Sequence, residues 1–365
     1  MRLLVIIFVV FTFVTCKKSS TPEEVVNTSP VELQSLVIVA GLAQPWEIIY
    51  APDEQLWITE RAGKISRVNP ITKQITLLLT INDVVSNGEG GLLGMVLHPD
   101  FTTFPYVYVV YNYNSANGYR EKVVRYTFAN NTLISPSILI QDIPASSIHN
   151  GSRLLISADK KLMMTTGDAA NTSLSQNMNS LAGKVLRLNL DGTIPSDNPF
   201  TGSYIYTLGH RNAQGLVFVG DKLFASEHGP STDDEVNLIV KGRNYGWPNV
   251  NGFCDNSSET AFCAANNIAE PLINWTPTVA AVDLTYYNNN RIPQWKNSLL
   301  MTTLKASKII QLKLNDTQTA IDSQKDFFAN EFGRKRAICV GKQGEVYFIT
   351  GNGSDDKVVM IMPKS

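Results

Sequence analysis

The sequence predicts an all-β chain, a six-bladed β-propeller with long inter-strand loops. Three observations carry that expectation. Long helical patterns are hard to find, short runs rich in Val, Ile, Leu, Tyr and Thr recur between Gly, Asn, Asp and Pro clusters, and one degenerate unit returns six times. The unit is a turn, an apolar strand, a second turn, and a strand with Lys or Arg among aliphatic residues.

The first copy is APDEQLWITERAGKISRVNP, from Ala51, and the last is GKQGEVYFITGNGSDDKVVMIMP, from Gly341. Between them stand LHPDFTTFPYVYVVYN with KVVRYTF, ISADKKLMMTTGD with GKVLRLNLDG, FVGDKLFASEHG with DEVNLIVKG, and NSLLMTTLKASKIIQLKLN. Spacings of roughly 50 to 75 residues exceed the roughly 40 to 50 of compact blades, so long loops must be inserted between strands. Propellers gather such loops on one face around the central channel, where function is expected. The first and last copies are the most alike, so the two ends of the domain are expected to meet in, or next to, one blade. A β-sandwich with insertions competes with this architecture but gives no reason for a repeat.

Residues 1–16, MRLLVIIFVVFTFVTC, place one Arg before an unbroken apolar run that ends at Cys16. The run is too short for a membrane span of roughly 20 residues and reads as an export signal. Its terminal Cys resembles a bacterial lipobox, with Thr15 where Gly, Ala or Ser is usual, and plain signal-peptide cleavage is the alternative. The mature protein is therefore expected outside the cytoplasm, in the cell envelope or periplasm, touching the membrane only through a lipid anchor. Residues 17–34 are polar and suit a solvated tether, leaving 35–365 for the propeller.

The chain has 365 residues, 44% hydrophobic and 17% charged, with a formal net charge of −1. Its scattered basic residues lack the footprint of a nucleic-acid binder. Cys254 and Cys263 could bridge a polar loop in an oxidising compartment, while Cys339, in the apolar run AICV, reads as a buried thiol. A zinc site is the competing reading, but three cysteines without a matching His cluster support it poorly.

Four segments hold polar residues in Gly-rich loops. IHNGSRLLIS carries His149 just before a strand, and YTLGHRNAQGLVF crowds His210, Arg211, Asn212 and Gln214 into a cluster suited to a flat, carbonyl-rich anion. SEHGPSTDDEVNLIVKGRNYGWPNVNGFCD brings Asp233, Asp234 and Glu235 close behind Gly229 and Pro230, hard oxygen ligands that favour calcium. TLKASKI and FGRKRAICV carry Lys305, Arg334 and Arg336. The two arginines are two apart and so share one side of an extended strand, an anion clamp. A lone structural His, a polar turn network and solvated loop acids are the plain alternatives for these segments.

Taken together these residues resemble the glucose/sorbosone dehydrogenase family, from about Leu42 to the C-terminus. The matching stretches are GEGGLLGMVLHPDF from Gly88, HNGSRLL from His149, LAGKVLRLNLDGTIPSDNPF from Leu181, GHRNAQGL from Gly209, EHGPSTDDEVNLIVKGRNYGWPNV from Glu227, and the GRKR arginines. The resemblance implies oxidation of an aldose at C1 to the lactone, with pyrroloquinoline quinone (PQQ) and calcium. His149 would be the catalytic base, with Asp168 beside it, and Arg211 would lie against the reactive quinone carbonyl. Asn212, Gln214, Thr278 and Lys305 would line the cofactor, and Arg334 and Arg336 would hold its carboxylates. Gly229 and Pro230 would offer carbonyls to the calcium. A second, structural cation would use Glu235, the Tyr245 carbonyl and Asp255. Electrons would pass to an external acceptor, whether quinone, cytochrome or dye.

Departures from the pattern gather on the sugar side, where Glu89 and Asp234 are expected. Glu89 stands where Gln is common, Ile148 where an Asp can precede the base, His228 replaces a Gln, and Ala281-Val282 replace Pro-Ser. A charge at Glu89 would select against acidic sugars. Two other functions stay open: a propeller that binds partners without catalysis, and a calcium-dependent lactonase with its metal deep in the channel.

Overall fold

The structure, a computed structural model, describes residues 29–364 together with Leu4. The export signal, Cys16 and most of the tether lie outside the described residues. Tight turns make consecutive strands pair antiparallel, and the described strands form six four-stranded sheets. The six repeated units are the second and third strands of each sheet, as in Leu56–Glu60 with Lys64–Val68 and Val346–Thr350 with Asp356–Pro363.

The innermost strands of blades one to six are Pro45–Tyr50, Leu92–Leu97, Gly151–Ile156, Ala213–Val219, Ala281–Tyr287 and Lys335–Val340. The sixth blade is completed by the N-terminal strand Leu33–Leu42, which pairs with Asp356–Pro363 from Leu33 opposite Pro363 to Leu42 opposite Asp356. The ring thus closes in one blade, as the likeness of the first and last copies implies. Strand structure begins at Leu33, and Val31 already donates its N–H to Gln294. Packed order therefore starts inside the stretch read as tether.

Blades stack face to face, so their middle strands are covered on both sides; Leu56–Glu60 and Ser298–Thr303 are buried throughout, whereas the outermost strand Ile321–Phe327 is largely exposed. Six apolar clusters fill the six interfaces. Trp57 with Phe101 and Phe128 marks the first, and Tyr287 with Trp295 and Phe348 marks the interface of blades five and six. Each innermost strand also slips register against its neighbour near its start, for example between Gly151 and Leu154 and between Lys335 and Ala337. Such a bulge twists the strand and re-aims side chains, here at the mouth of the channel.

A disulfide joins Cys254, in the loop ahead of the one described α-helix, Ser257–Asn266, to Cys263 within that helix, and Cys339 is a free thiol. No helix among the described residues is long and apolar enough to cross a membrane.

Candidate active site

The loops entering the innermost strands converge on one face, and His149 sits just ahead of the third. Its backbone is left-handed, with φ +59°. Three contacts hold it there: its N–H donates to Glu89 Oε2 at 3.1 Å, its carbonyl accepts from Ala169 N–H at 3.2 Å, and Gly167 lies so close that any Cβ would collide with that carbonyl. A non-glycine residue in this region is strained and persists when its surroundings over-determine it.

The imidazole bridges two partners. Nδ1 lies 2.8 Å from Asp168 Oδ1, and Nε2 lies 3.0 Å from Arg211 Nη2. Asp168 is fully buried; its other oxygen accepts from Trp247 Nε1–H at 2.9 Å, and its backbone N–H donates to the Arg211 carbonyl. A carboxylate in that position keeps the proton on Nδ1, so the Nε2 lone pair accepts from Arg211 Nη2–H and becomes available to a substrate proton when that donor moves away.

Arg211 is aimed by its own neighbours. Nη1 donates to the His228 carbonyl at 3.1 Å, the guanidinium lies over the Trp247 ring, and the Arg211 and Asn212 N–H groups both donate to Glu227 Oε1. Burial lowers the Arg211 pKa, opposed by Asp168 and Glu227. Burial also pulls the His228 imidazole down to about 3, with Arg336 and Arg211 adding to the effect, so it stays neutral beside these cations.

Beside the imidazole stands a cationic wall. Arg61, Arg334 and Arg336 line a cavity of about 250 Å³ with Gln44 and Asn352, and no carboxylate shares that lining. Arg336 Nη1 donates to Gln214 Oε1 at 2.8 Å, and desolvation pulls its pKa down to about 9. Lys305 Nζ donates to Thr278 Oγ1 at 3.0 Å, which brings these two residues together. Arg211 Nε and Asn212 Nδ2 are buried without a hydrogen-bond partner among the described residues. Glu89 is the carboxylate whose field reaches Arg61 and Arg336, and the orphaned donors beside this arginine group suit a ligand rich in carbonyl and carboxylate oxygens.

Not every expected residue joins the site. Asp234 is 1% exposed, accepting from Gly229 N–H and Ala281 N–H. It braces the Gly229–Pro230 turn from behind and does not face the sugar side. Neither the Gly229 nor the Pro230 carbonyl accepts a hydrogen bond among the described residues, which leaves both open to a cation. Glu235 and Tyr245 line one small cavity, but Asp255 is exposed outside it, and Glu227 and Asp233 complete the lining instead. Burial next to Glu227 raises the Glu235 pKa. No cluster of three or more His, Cys, Asp or Glu arranged for a metal occurs among the described residues. Trp247, Glu227 and Arg61 have no role in the reading of the sequence. All three lie inside its quoted motifs or repeats, yet only the fold brings them to Asp168, Arg211 and Arg336.

A propeller with this loop face is a sugar-dehydrogenase scaffold, and comparison with known proteins agrees: residues 42–360 match the Glucose / Sorbosone dehydrogenase family, to which the chain belongs. It is 34% identical to quinoprotein glucose dehydrogenase B of Acinetobacter calcoaceticus, over 90% of this chain and 87% of that protein. Among solved structures it resembles the PQQ-bound aldose sugar dehydrogenase of Streptomyces coelicolor, with 30% identity and TM-score 0.79 over 92% of this chain and all of that one. The apo aldose sugar dehydrogenase of Escherichia coli superposes with TM-score 0.83 and 27% identity, over 91% of this chain and all of that one.

Proposed function

We propose that the chain is a PQQ-dependent aldose dehydrogenase that oxidises the anomeric carbon of a sugar to the lactone and passes electrons to an external acceptor. The observation that carries this reading is the imidazole of His149, held between Asp168 and Arg211 near a cavity lined by Arg61, Arg334 and Arg336.

When bound, calcium-ligated PQQ supplies an electrophilic carbonyl carbon that accepts hydride. The residues supply the rest. His149 Nε2 takes the proton of the anomeric hydroxyl, and Asp168 stabilises the imidazolium that results. That transfer requires Arg211 Nη2 to release the imidazole, and the freed guanidinium would be available to the cofactor's oxygens. Arg334, Arg336 and Lys305 would hold the cofactor carboxylates, with Asn212, Gln214 and Thr278 along its edge. Gly229 and Pro230 would give the calcium two carbonyl ligands, and Glu235 and Tyr245 would share the second cation. Glu89, exposed at the rim, faces the sugar and disfavours acidic ones. The protein would act outside the cytoplasm, anchored by a lipid on Cys16.

The lactonase reading needs a metal deep in the channel. There, Arg153 Nη1 lies 2.5 Å from Glu47 and its Nε 3.3 Å from Asp283, so the chain's own cation occupies that space. The binding-only reading leaves the Asp168–His149–Arg211 chain without a purpose.

The test is reconstitution of the purified protein with PQQ and calcium, followed by dye reduction with a panel of aldoses. Turnover that depends on PQQ, calcium and sugar is the expected result. A protein that binds no PQQ, or binds it and reduces no dye with any aldose, overturns the reading.

A further inference from the structure

The Lys335 side chain lies on the opposite side of its strand from Arg336 and is fully buried. Its Nζ donates three hydrogen bonds: to the Glu331 carbonyl at 2.7 Å, the Ser307 carbonyl at 2.9 Å and the Gly333 carbonyl at 3.1 Å. No carboxylate pairs with this ammonium; three backbone dipoles satisfy it, with the Phe348 ring 5.7 Å away.

Those carbonyls belong to two loops that leave the paired ends of one hairpin, where Ile309 stands opposite Phe327 and Lys308 Nζ lies 2.7 Å from Asp326 Oδ2. One runs through Lys305 to Ser307 and is tied to the Thr278 segment, with Leu304 N–H on Ala280 O and Ala306 N–H on Val279 O. The other runs from Phe328 to Gly333 and delivers Arg334. Ser307, Phe328, Asn330 and Phe332 all have left-handed backbones, so neither loop holds its shape by local preference. Beyond the end of that hairpin, the direct backbone tie between the loops is Asn330 N–H on Ser307 O at 3.0 Å.

We propose that Lys335 is a positioning residue, the buried pin that fixes Lys305, Arg334 and Arg336 relative to one another so that they meet one polyanionic ligand together. This deepens the PQQ reading and rests on it for the identity of the ligand. Lys184 shows the same device elsewhere. Its buried Nζ donates to the carbonyls of Leu174, Ser175 and Ala182, bracing a loop of blade three. Lys184→Met is therefore a control of matched chemistry.

Two measurements decide the matter. Hydrogen exchange on the apo protein should show faster exchange in peptides covering 304–308 and 328–334 in Lys335→Met, and near wild-type exchange there in Lys184→Met. PQQ titration followed by absorbance should show Lys335→Met weakened about tenfold or more. Lys335→Gln, which keeps two N–H donors, should fall between wild type and Met, and it serves if the Met variant does not fold. Unchanged exchange in both loops, or wild-type PQQ affinity in Lys335→Met, overturns the proposal. A wild type that binds no PQQ refutes the cofactor reading instead, and the exchange experiment still decides whether Lys335 pins the loops.

Discussion

His149 carries two demands that pull against each other, a backbone in the left-handed region and a side chain held 2.8 Å from Asp168 and 3.0 Å from Arg211. This bears on how the base should be tested. Alanine at φ +59° adds backbone strain to the loss of the imidazole, whereas asparagine tolerates that conformation. His149→Asn should therefore keep its fold and its PQQ affinity while turnover falls about 10² to 10⁴-fold, the usual cost of removing a general base. Parallel melting curves, PQQ titration and dye reduction check this, and a stable variant with full activity removes His149 from the mechanism. Sequence could mark His149, Arg211 and the GRKR arginines because each stands in a Gly-rich or alternating context. It could not rank Asp168 against Asp234, which differ only in what the fold sets beside them.

Among the elements, the third strand of blade two, Gly118–Ala129, hides an acid behind the site. Glu121 is fully buried, and Ser152 Oγ donates to its Oε1 at 2.5 Å while also reaching the Asn150 carbonyl next to His149. Burial pushes its pKa from 4.5 up to about 8, against the opposing hydrogen bonds of Ser152 and Asn112. The sign follows from which state releases the proton first. Between pH 4.5 and 8 the unfolded chain ionises Glu121 while the folded protein keeps it neutral, so stability is full below that window and falls as pH rises through it, by at most about 1.4 kcal/mol per pH unit. Glu121→Gln should flatten the decline in melting temperature from pH 5 to 8, and an identical slope in both proteins contradicts the assignment. The chain advertises nothing of this, because an acid in the run YREKVVRYTF reads as an exposed strand position.

For the whole molecule, the channel is tied across its width. Arg153 of blade three pairs with Glu47 of blade one and Asp283 of blade five, donates Nε–H to the Gln214 carbonyl of blade four, and stacks on Trp46. Asp283 also accepts the Ile338 N–H of blade six. One guanidinium thus links innermost strands that share no sheet. Arg153→Met would leave two buried carboxylates facing each other, a change that typically costs about 3 to 5 kcal/mol. Thermal or urea unfolding measures it, and a loss below about 1 kcal/mol would mean that the interblade apolar clusters hold the ring by themselves.

Local chemistry in the chain determined the blade count, the long loops, the closure of the ring by its two ends and the loop motifs that carry His149, Arg211, Arg334 and Arg336, because turn residues, strand runs and repeats are read within a few dozen residues. Tertiary structure decided the rest. Asp234 became a brace and Asp255 an outlier of its expected cavity; Trp247, Glu227 and Lys335 took up positions their neighbours in sequence do not announce. Glu47, Arg153 and Asp283 are far apart along the chain and meet only because six sheets close into a circle, and burial, which sets their charge states, exists only once that circle is closed.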